Sequence, residues 1–433
     1  GQMATATPIS ASSHVCEVFA AMRIVCVGGG PAGLYFAICA KLHEPDHDIT
    51  VLERDPPGAT HGWGVVYWEP LLGILFRHDP VGARRLRAAS TLWREQLLTL
   101  GGPRTAYLPG YGYSIQRAAL LDLLGQRATE LGIEVRHQTE VADAAELAEL
   151  SARADLVVAS DGAHSRVRRL AGPDAFGTRT DDGVNQFIWL GTDMRFENFR
   201  FAFERTPAGW IWFHAYPSAA DISTCIVECA PETWAGLGLD KLDDEAGRRL
   251  LESIFAEQLA GHRLISSCHG RPARWQRFTH VTNRSWRHEN IVLIGDAAHT
   301  THFTLGSGTA FAIMDAVMLV WFLKEHGEVS AALREFDRSG RAALKPPQDA
   351  ARTSMAWFER VDEILADLSP GGPAGDPDPV EFAFAMGTRQ GDATPLRHRA
   401  CKVHQVPAVR ALGRQAGQST RWLLDKRREL ATR

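Results

Sequence analysis

Three carboxylates stand at the ends of short apolar runs. Glu53 follows Ile49-Thr50-Val51-Leu52, Asp161 follows residues 156–160, and Asp296 follows residues 291–294 and Gly295. Such runs read as buried strands, and a carboxylate at a strand end can accept from a ribose or polyol hydroxyl. Two glycine-rich turns accompany them. Gly28-Gly29-Gly30-Pro31-Ala32-Gly33 lies between the run Ile24-Val25-Cys26-Val27 and a helical segment, with Glu53 twenty residues beyond Gly33. Gly28 permits the tight turn, Gly30 a close approach of backbone to pyrophosphate, and Gly33 close helix–strand packing. Pro31 suits the first helical turn, whose free N–H groups and partial positive charge face an anion. The second turn, Gly306-Ser307-Gly308-Thr309, opens the apolar helix that begins near Ala310.

One dinucleotide needs only the first turn and Glu53. The late Gly295-Asp296 asks for a longer ligand with a polyol section, and FAD fits. Its adenosine would lie at Glu53 and Arg54, its pyrophosphate at Gly28–Gly33, its ribityl chain at Asp296, and its ring beyond. Arg117 opens a helix, the end where a cation is least at home, so it wants an anionic partner. A ligand phosphate is one candidate and solvent the other.

A second group of residues suits an aromatic ligand. In residues 209–216 strand alternation puts Trp210, Trp212, His214 and Tyr216 on one face and Ile211, Phe213 and Ala215 on the other. The second face reads as core and the first as a pocket wall, with ordinary sandwich packing as the alternative. Trp63, Trp189, Trp212 and Phe303 are the expected substrate contacts. His302 and His214, with an unperturbed pKa of about 6.5, and Tyr216 are the expected catalytic groups.

The elements that must carry these residues follow from pattern and composition. The chain has 433 residues, a net charge of −4, 45% hydrophobic and 23% charged residues. That is globular composition with no bias toward nucleic acid or an anionic membrane. Seven cysteines without CxxC spacing suit a reducing, cytoplasmic setting, and no metal-ligand spacing is present. The expected fold is α/β: a Rossmann-like FAD-binding domain, an inserted antiparallel β-sheet substrate domain and a C-terminal helical region. Residues 1–20 are expected to be a disordered leader or expression remnant. Residues 21–182 and 283–345 would form the FAD-binding domain, 183–282 the substrate domain and 346–433 the helical region. Residues 71–100 and 116–131 read as helical. The Pro- and Gly-rich loop 55–64 is expected to wrap the ligand, unless it is a surface excursion.

The chain resembles the class A flavoprotein monooxygenases, the aromatic hydroxylases related to p-hydroxybenzoate hydroxylase. The resemblance is carried by GGGPAG at 28–33, DLVVASDGAHSRVRR at 155–169 and VLIGDAAHT at 292–300. GWGVVYW, FIWLGT, FHAYPSAADISTCIVECAPETW and HFTLGSGT resemble a narrower branch containing salicylyl-CoA 5-hydroxylase, anthraniloyl-CoA monooxygenase and the violacein-pathway indole hydroxylase. MAWFERV and FAFAMGTRQ extend the likeness to the CoA-ester members. The chain departs from the broad class at His302-Phe303, where proline is usual, and at Thr309-Ala310, where asparagine is usual.

The resemblance implies FAD as cofactor and NADPH or NADH as reductant, without a separate nicotinamide domain. It also implies O2 as co-substrate and a flavin C4a-hydroperoxide that hydroxylates an electron-rich ring. Asp161 would touch both cofactors, Asp296 the ribityl chain and Arg117 the phosphate–ribose region. Gly295, Gly306, Gly308 and Thr309 would complete the flavin site. The substrate implied by the branch is a hydroxy- or aminobenzoyl thioester of CoA or a carrier protein. The alternatives are a free aromatic acid or an indole compound. Halogenase, flavin dehydrogenase and non-catalytic flavoprotein are competing readings; Gly209-Trp210-Ile211-Trp212 matches only half of the halogenase WxWxIP signature.

Overall fold

A computed structural model of the chain describes residues 20–60, 62–372 and 375–432. The expected leader lies, but for Ala20, outside the described residues. Two large sheets organise the rest.

The first sheet has six strands in the order Arg287–His288, Ile291–Leu293, Leu156–Ala159, Arg23–Val27, Asp48–Leu52 and Glu134–Arg136. All pairs are parallel except the first. The central strands are nearly continuous Val, Ile and Leu, as a parallel sheet covered on both faces requires. Helices Pro31–His43, Arg117–Glu130 and Gly308–His326 supply the cover and share one core with the sheet. Register is what matters for the site. Val27 pairs with Leu52 and Ala159, and Ala159 with Leu293, so four strands end in one row. The residues that follow are Gly28, Glu53, Ser160-Asp161 and Ile294-Gly295-Asp296. Three carboxylates far apart in sequence are thereby delivered to one edge.

The second sheet has eight strands, in the order Leu264–Ile265, Gln186–Thr192, Ser223–Cys229, Gly209–Pro217, Phe199–Thr206, Thr91–Leu100, Thr105–Gln116 and Gly64–Tyr67. It is antiparallel except where Phe199–Thr206 runs parallel to Thr91–Leu100. This corrects two expectations. Residues 71–100 are helical only at Glu69–His78 and Pro80–Ala89; Thr91–Leu100 is a strand. The apolar spacing there is ambiguous, and pairing on both sides of Thr91–Leu100 decides it: Trp93, Leu98 and Leu100 become fully buried. In addition, three strands of this sheet come from residues 64–116, so the sheet begins well before residue 183.

The two faces of Gly209–Pro217 alternate as expected. Ile211, Phe213 and Ala215 form a core with helix Asp244–Ile254 and Phe255. On the other face, Trp210 and Trp212 are covered by Phe358, Val361, Leu365 and Phe382 of the C-terminal helices. Only the far end of that face, at His214 and Tyr216, is left open to a cavity.

Candidate active site

At the strand-end row lies a cavity of about 750 Å3. Gly28 turns the chain at φ +110°, and a Cβ there would sit 2.3 Å from the Ser160 carbonyl oxygen. Gly33 is equally constrained: a Cβ would meet the Gly28 carbonyl oxygen at 2.3 Å, so this glycine serves helix–strand packing and does not line the cavity. At Gly30 the space is open, with no atom within 4 Å of a Cβ. Helix Pro31–His43 begins there with no side-chain cap and no acid in its first turn. Its free N–H groups therefore face the cavity beside Pro31 and Ala32.

Glu53 Oε2 accepts from Gly29 N at 2.8 Å and Oε1 from Asp55 N at 2.8 Å. Each oxygen keeps a lone pair for a ligand hydroxyl. Arg54, Asp55, Pro56, Pro57 and Gly58 continue the wall, so the loop does face the ligand space. Asp161 also lines it, but its carboxylate is committed: it accepts from Ser165 Oγ, Arg166 N (2.8 Å) and Val167 N (3.0 Å). It serves the start of the short helix Arg166–Leu170, holding two first-turn N–H groups and the hydroxyl of the N-cap Ser165. Asp296 points into the cavity and makes no such bond. Its side chain stands open to the cavity, but desolvation by the surrounding protein raises its pKa above the usual carboxylate value, partly offset by His299 and Arg117 and reinforced by Asp315. Beneath it His299 Nε2 and Asp315 Oδ2 pair at 2.6 Å, and Gly295 N donates to the same Oδ2 at 2.8 Å. Gly295 itself backs onto the Ala32 methyl, 3.0 Å from where a Cβ would be. Arg117 lies in the field of both Asp296 and Glu53, while burial lowers its pKa. It lines this cavity and also the next.

The second cavity is about 1050 Å3. Phe199, Phe201, His214 and Tyr216 of the second sheet form one wall, with Trp189 beside them. Phe303, Gly306, Gly308 and Thr309 form another. Gly306 has φ +62°, and a Cβ there would be 2.7 Å from Val66, which explains the glycine. Phe384, Met386, Arg389 and His404 of the C-terminal region line the far side. His214 Nε2 is buried without a hydrogen bond, 3.6 Å from Glu228 Oε2. Glu228 in turn accepts from Asn185 Nδ2 (2.8 Å) and Trp212 Nε1 (3.2 Å).

Three expected site residues, His302, Trp212 and Trp63, lie off the cavity walls, and Tyr216 reaches the cavity with its hydroxyl engaged. His302 does not line the cavity. It is 3% exposed, packed against Phe303 at 4.1 Å and Phe278 at 4.8 Å, with Nδ1 2.8 Å from Thr304 Oγ1. Burial, then His214, His280 and Arg389, hold its pKa well below 6.5, so it is a neutral prop for the loop. Tyr216 reaches the cavity, but its hydroxyl donates to Gly64 O at 2.8 Å and burial pushes its pKa up. Trp212 is core, 1% exposed and stacked on Phe203 at 5.7 Å. Trp63 packs against Gly191, where a Cβ would fall 2.8 Å from its ring, and it lines neither cavity. Arg389 was not anticipated. Its signal in the sequence is its place in FAFAMGTRQ, just after the apolar helix Pro379–Gly387.

A glycine turn on an uncapped helix, an acid at each of three neighbouring strand ends and an aromatic cavity beyond an arginine gate define a flavin-dependent oxidoreductase. The cradle at Gly28–Gly33, the open space at Gly30 and the unbonded Asp296 fit FAD. The FAD binding domain family model matches residues 21–345. The chain belongs to this family and is an FAD-dependent aromatic monooxygenase. It is 37% identical to salicyloyl-CoA 5-hydroxylase from Streptomyces sp over 378 residues, 85% of this chain and 70% of that protein. It is 35% identical to 3-hydroxy-4-methyl-anthranilyl-[aryl-carrier protein] 5-monooxygenase from Streptosporangium sibiricum, over 81% of this chain and 94% of that protein. Among solved structures, p-nitrophenol 4-monooxygenase from Pseudomonas putida shares the fold with a TM-score of 0.64 at 18% identity, over 87% of this chain and 95% of that one.

Proposed function

We propose that this monooxygenase hydroxylates the ring of a hydroxy- or aminobenzoyl thioester carried on CoA or a carrier protein, with NADPH or NADH as reductant. The observation that supports it is the reach of the second cavity. It runs from Gly306–Thr309, where the flavin ring is expected, to His404 and Val409 in the C-terminal helices. With the flavin ring at one end, a benzoyl ring alone would leave the part toward His404 and Val409 unfilled; a thioester arm would use it. The activities of the two relatives named above point the same way.

In this reading Gly28, Gly30, Pro31, Ala32, Glu53 and Arg54 would hold the ADP half of FAD, with Arg117 and Asp296 toward the ribityl section. Gly306, Gly308 and Thr309 would lie at the ring. Bound FAD supplies the activation of O2 for transfer of one oxygen atom to the ring. The protein's own part is orientation and dryness. Phe199, Phe201, Trp189 and Phe303 would hold the ring, and His214 lines the wall with its Nε2 turned toward Glu228. Glu228 orients His214. His302 and Tyr216 act one step back, by fixing the Phe303 loop and Gly64. A cytoplasmic setting is part of the proposal, in keeping with six described cysteines that form no disulfide. Among the described residues no helix is long and apolar enough to cross a membrane.

The test is NAD(P)H oxidation by the FAD-loaded enzyme with aryl acids, indoles and aryl-CoA thioesters, under isotopically labelled O2. The expected result is oxidation stimulated by a thioester, with one labelled oxygen in its ring. Stimulation by the free acid or an indole but not the thioester would overturn the substrate assignment.

A further inference from the structure

Among the described residues Arg389 is a cation without a carboxylate counter-ion. It lies beyond the residues matched by the family model, and its side chain lines the second cavity. Nε donates to Ser354 Oγ (2.6 Å), one Nη to Met386 O (2.8 Å) and the other to Thr304 O (3.0 Å). Every hydrogen-bond partner is a neutral oxygen, and the guanidinium also lies over the Phe358 ring, 5.6 Å from its centroid. Among the described residues no carboxylate forms an ion pair with it, and burial alone pulls its pKa down to about 10. The histidines around it add the same sign, and the carboxylates Glu228 and Glu359 are engaged elsewhere. His302 feels Arg389, His214 and His280 as like charges. Glu228 faces His214, and Glu359 accepts from Val184 N beside Glu228. A half-buried, desolvated charge of this kind at a cavity wall favours the arrival of an anionic partner.

Three bonds use three of the five guanidinium N–H donors. They also clasp Arg389 to helix Val329–Phe358 and to the loop that carries Phe303, so its direction is set before a ligand binds. A guanidinium can donate but not accept. It suits an ionised ring hydroxyl, which only accepts, and mismatches an aryl amine, whose N–H groups would face its own.

We propose that Arg389 is the subsite for the ionised ring hydroxyl of the substrate and selects hydroxyaryl over aminoaryl thioesters. The proposal rests on the thioester reading above and narrows it. On binding, the phenol O–H bond breaks, the oxygen keeps the electron pair and the proton leaves to solvent. The ring so ionised is the more electron-rich partner for oxygen transfer.

The experiment is calorimetric titration of the FAD-loaded enzyme near neutral pH with salicyl-CoA, anthraniloyl-CoA and methyl salicylate. Buffers of different ionisation enthalpy count the protons released. Methyl salicylate carries the hydroxyl with neither thioester arm nor carboxylate. Expected are about one proton released per hydroxyaryl ligand, none for anthraniloyl-CoA, and about tenfold tighter binding of salicyl-CoA than of anthraniloyl-CoA, the preference of a donor-only site. In R389Q, which keeps an N–H donor but no charge, the release and the preference should vanish, and R389K should retain the release. Proton release that persists in R389Q, or equal affinity of the native enzyme for the two thioesters, would overturn the subsite. If R389Q does not load FAD, the proton count of the native enzyme with methyl salicylate decides. Release with methyl salicylate but no binding of either thioester would overturn the thioester reading and leave the subsite standing.

Discussion

The two cavities meet at Arg117 and are built on opposite plans. The first is a backbone site. Its walls are glycines, helix N–H groups and acids at the ends of adjacent parallel strands. The second is a side-chain site. Its walls come from the second sheet, the 300–309 loop and the C-terminal helices, and aromatic rings dominate. The first must fit one invariant ligand and tolerates little change at its glycines. The second can alter its substrate by changing single side chains, without disturbing the element that bears them.

That contrast makes ordered predictions. Gly28→Ala should have the largest effect. At φ +110° and 2.3 Å from a backbone oxygen, the methyl group cannot be absorbed. FAD retained through purification should fall to near zero; wild-type flavin content would break the backbone-site description. Trp212→Ala should come next. It removes a buried ring from the core under the C-terminal helices and should cost about 3–5 kcal/mol of stability in denaturant melts, with Kd for substrate little changed. A lost substrate affinity with unchanged stability would return Trp212 to the pocket wall. Phe303→Ala should show the converse. Its ring lines the cavity, so KM should rise about tenfold, with a stability change below about 1.5 kcal/mol.

The smallest effect is the pH dependence at His302. The fold holds its pKa well below the ordinary 6.5, so the folded state binds the neutral ring while the unfolded chain takes a proton near 6.5. Its contribution is complete above that pH and is lost as pH falls below it. His302→Gln should therefore flatten the decline of stability between about pH 6.5 and 5.5 by less than about 1.4 kcal/mol, the limit for one proton. Melting profiles parallel to wild type across that window would show that His302 is not buried neutral.

Much of the first cavity was legible in the sequence, because its chemistry is local. A glycine turn, the helix after it and the acid at the next strand end are set by residues within one βαβ stretch, and the motif spacing reports them directly. Asp161 shows the limit even there. Its position at the strand end was readable, but Ser165, Arg166 and Val167 take up its oxygens, and helix capping is visible only in three dimensions. The strand Thr91–Leu100 was misread because its apolar spacing suits either element until its neighbours pair with it.

The sequence by itself determined the cofactor, the two-sheet α/β architecture and the alternation of Gly209–Pro217, since strand period and glycine geometry are properties of the local chain. Only the tertiary structure decided how that alternating face is divided. The C-terminal helices cover Trp210 and Trp212 and stop short of His214 and Tyr216, so neighbours on one strand become core and cavity wall. The same packing turned His302 inward and brought Arg389 to the wall 85 residues from Thr304. Burial depends on what arrives from elsewhere in the chain, and no local pattern encodes it.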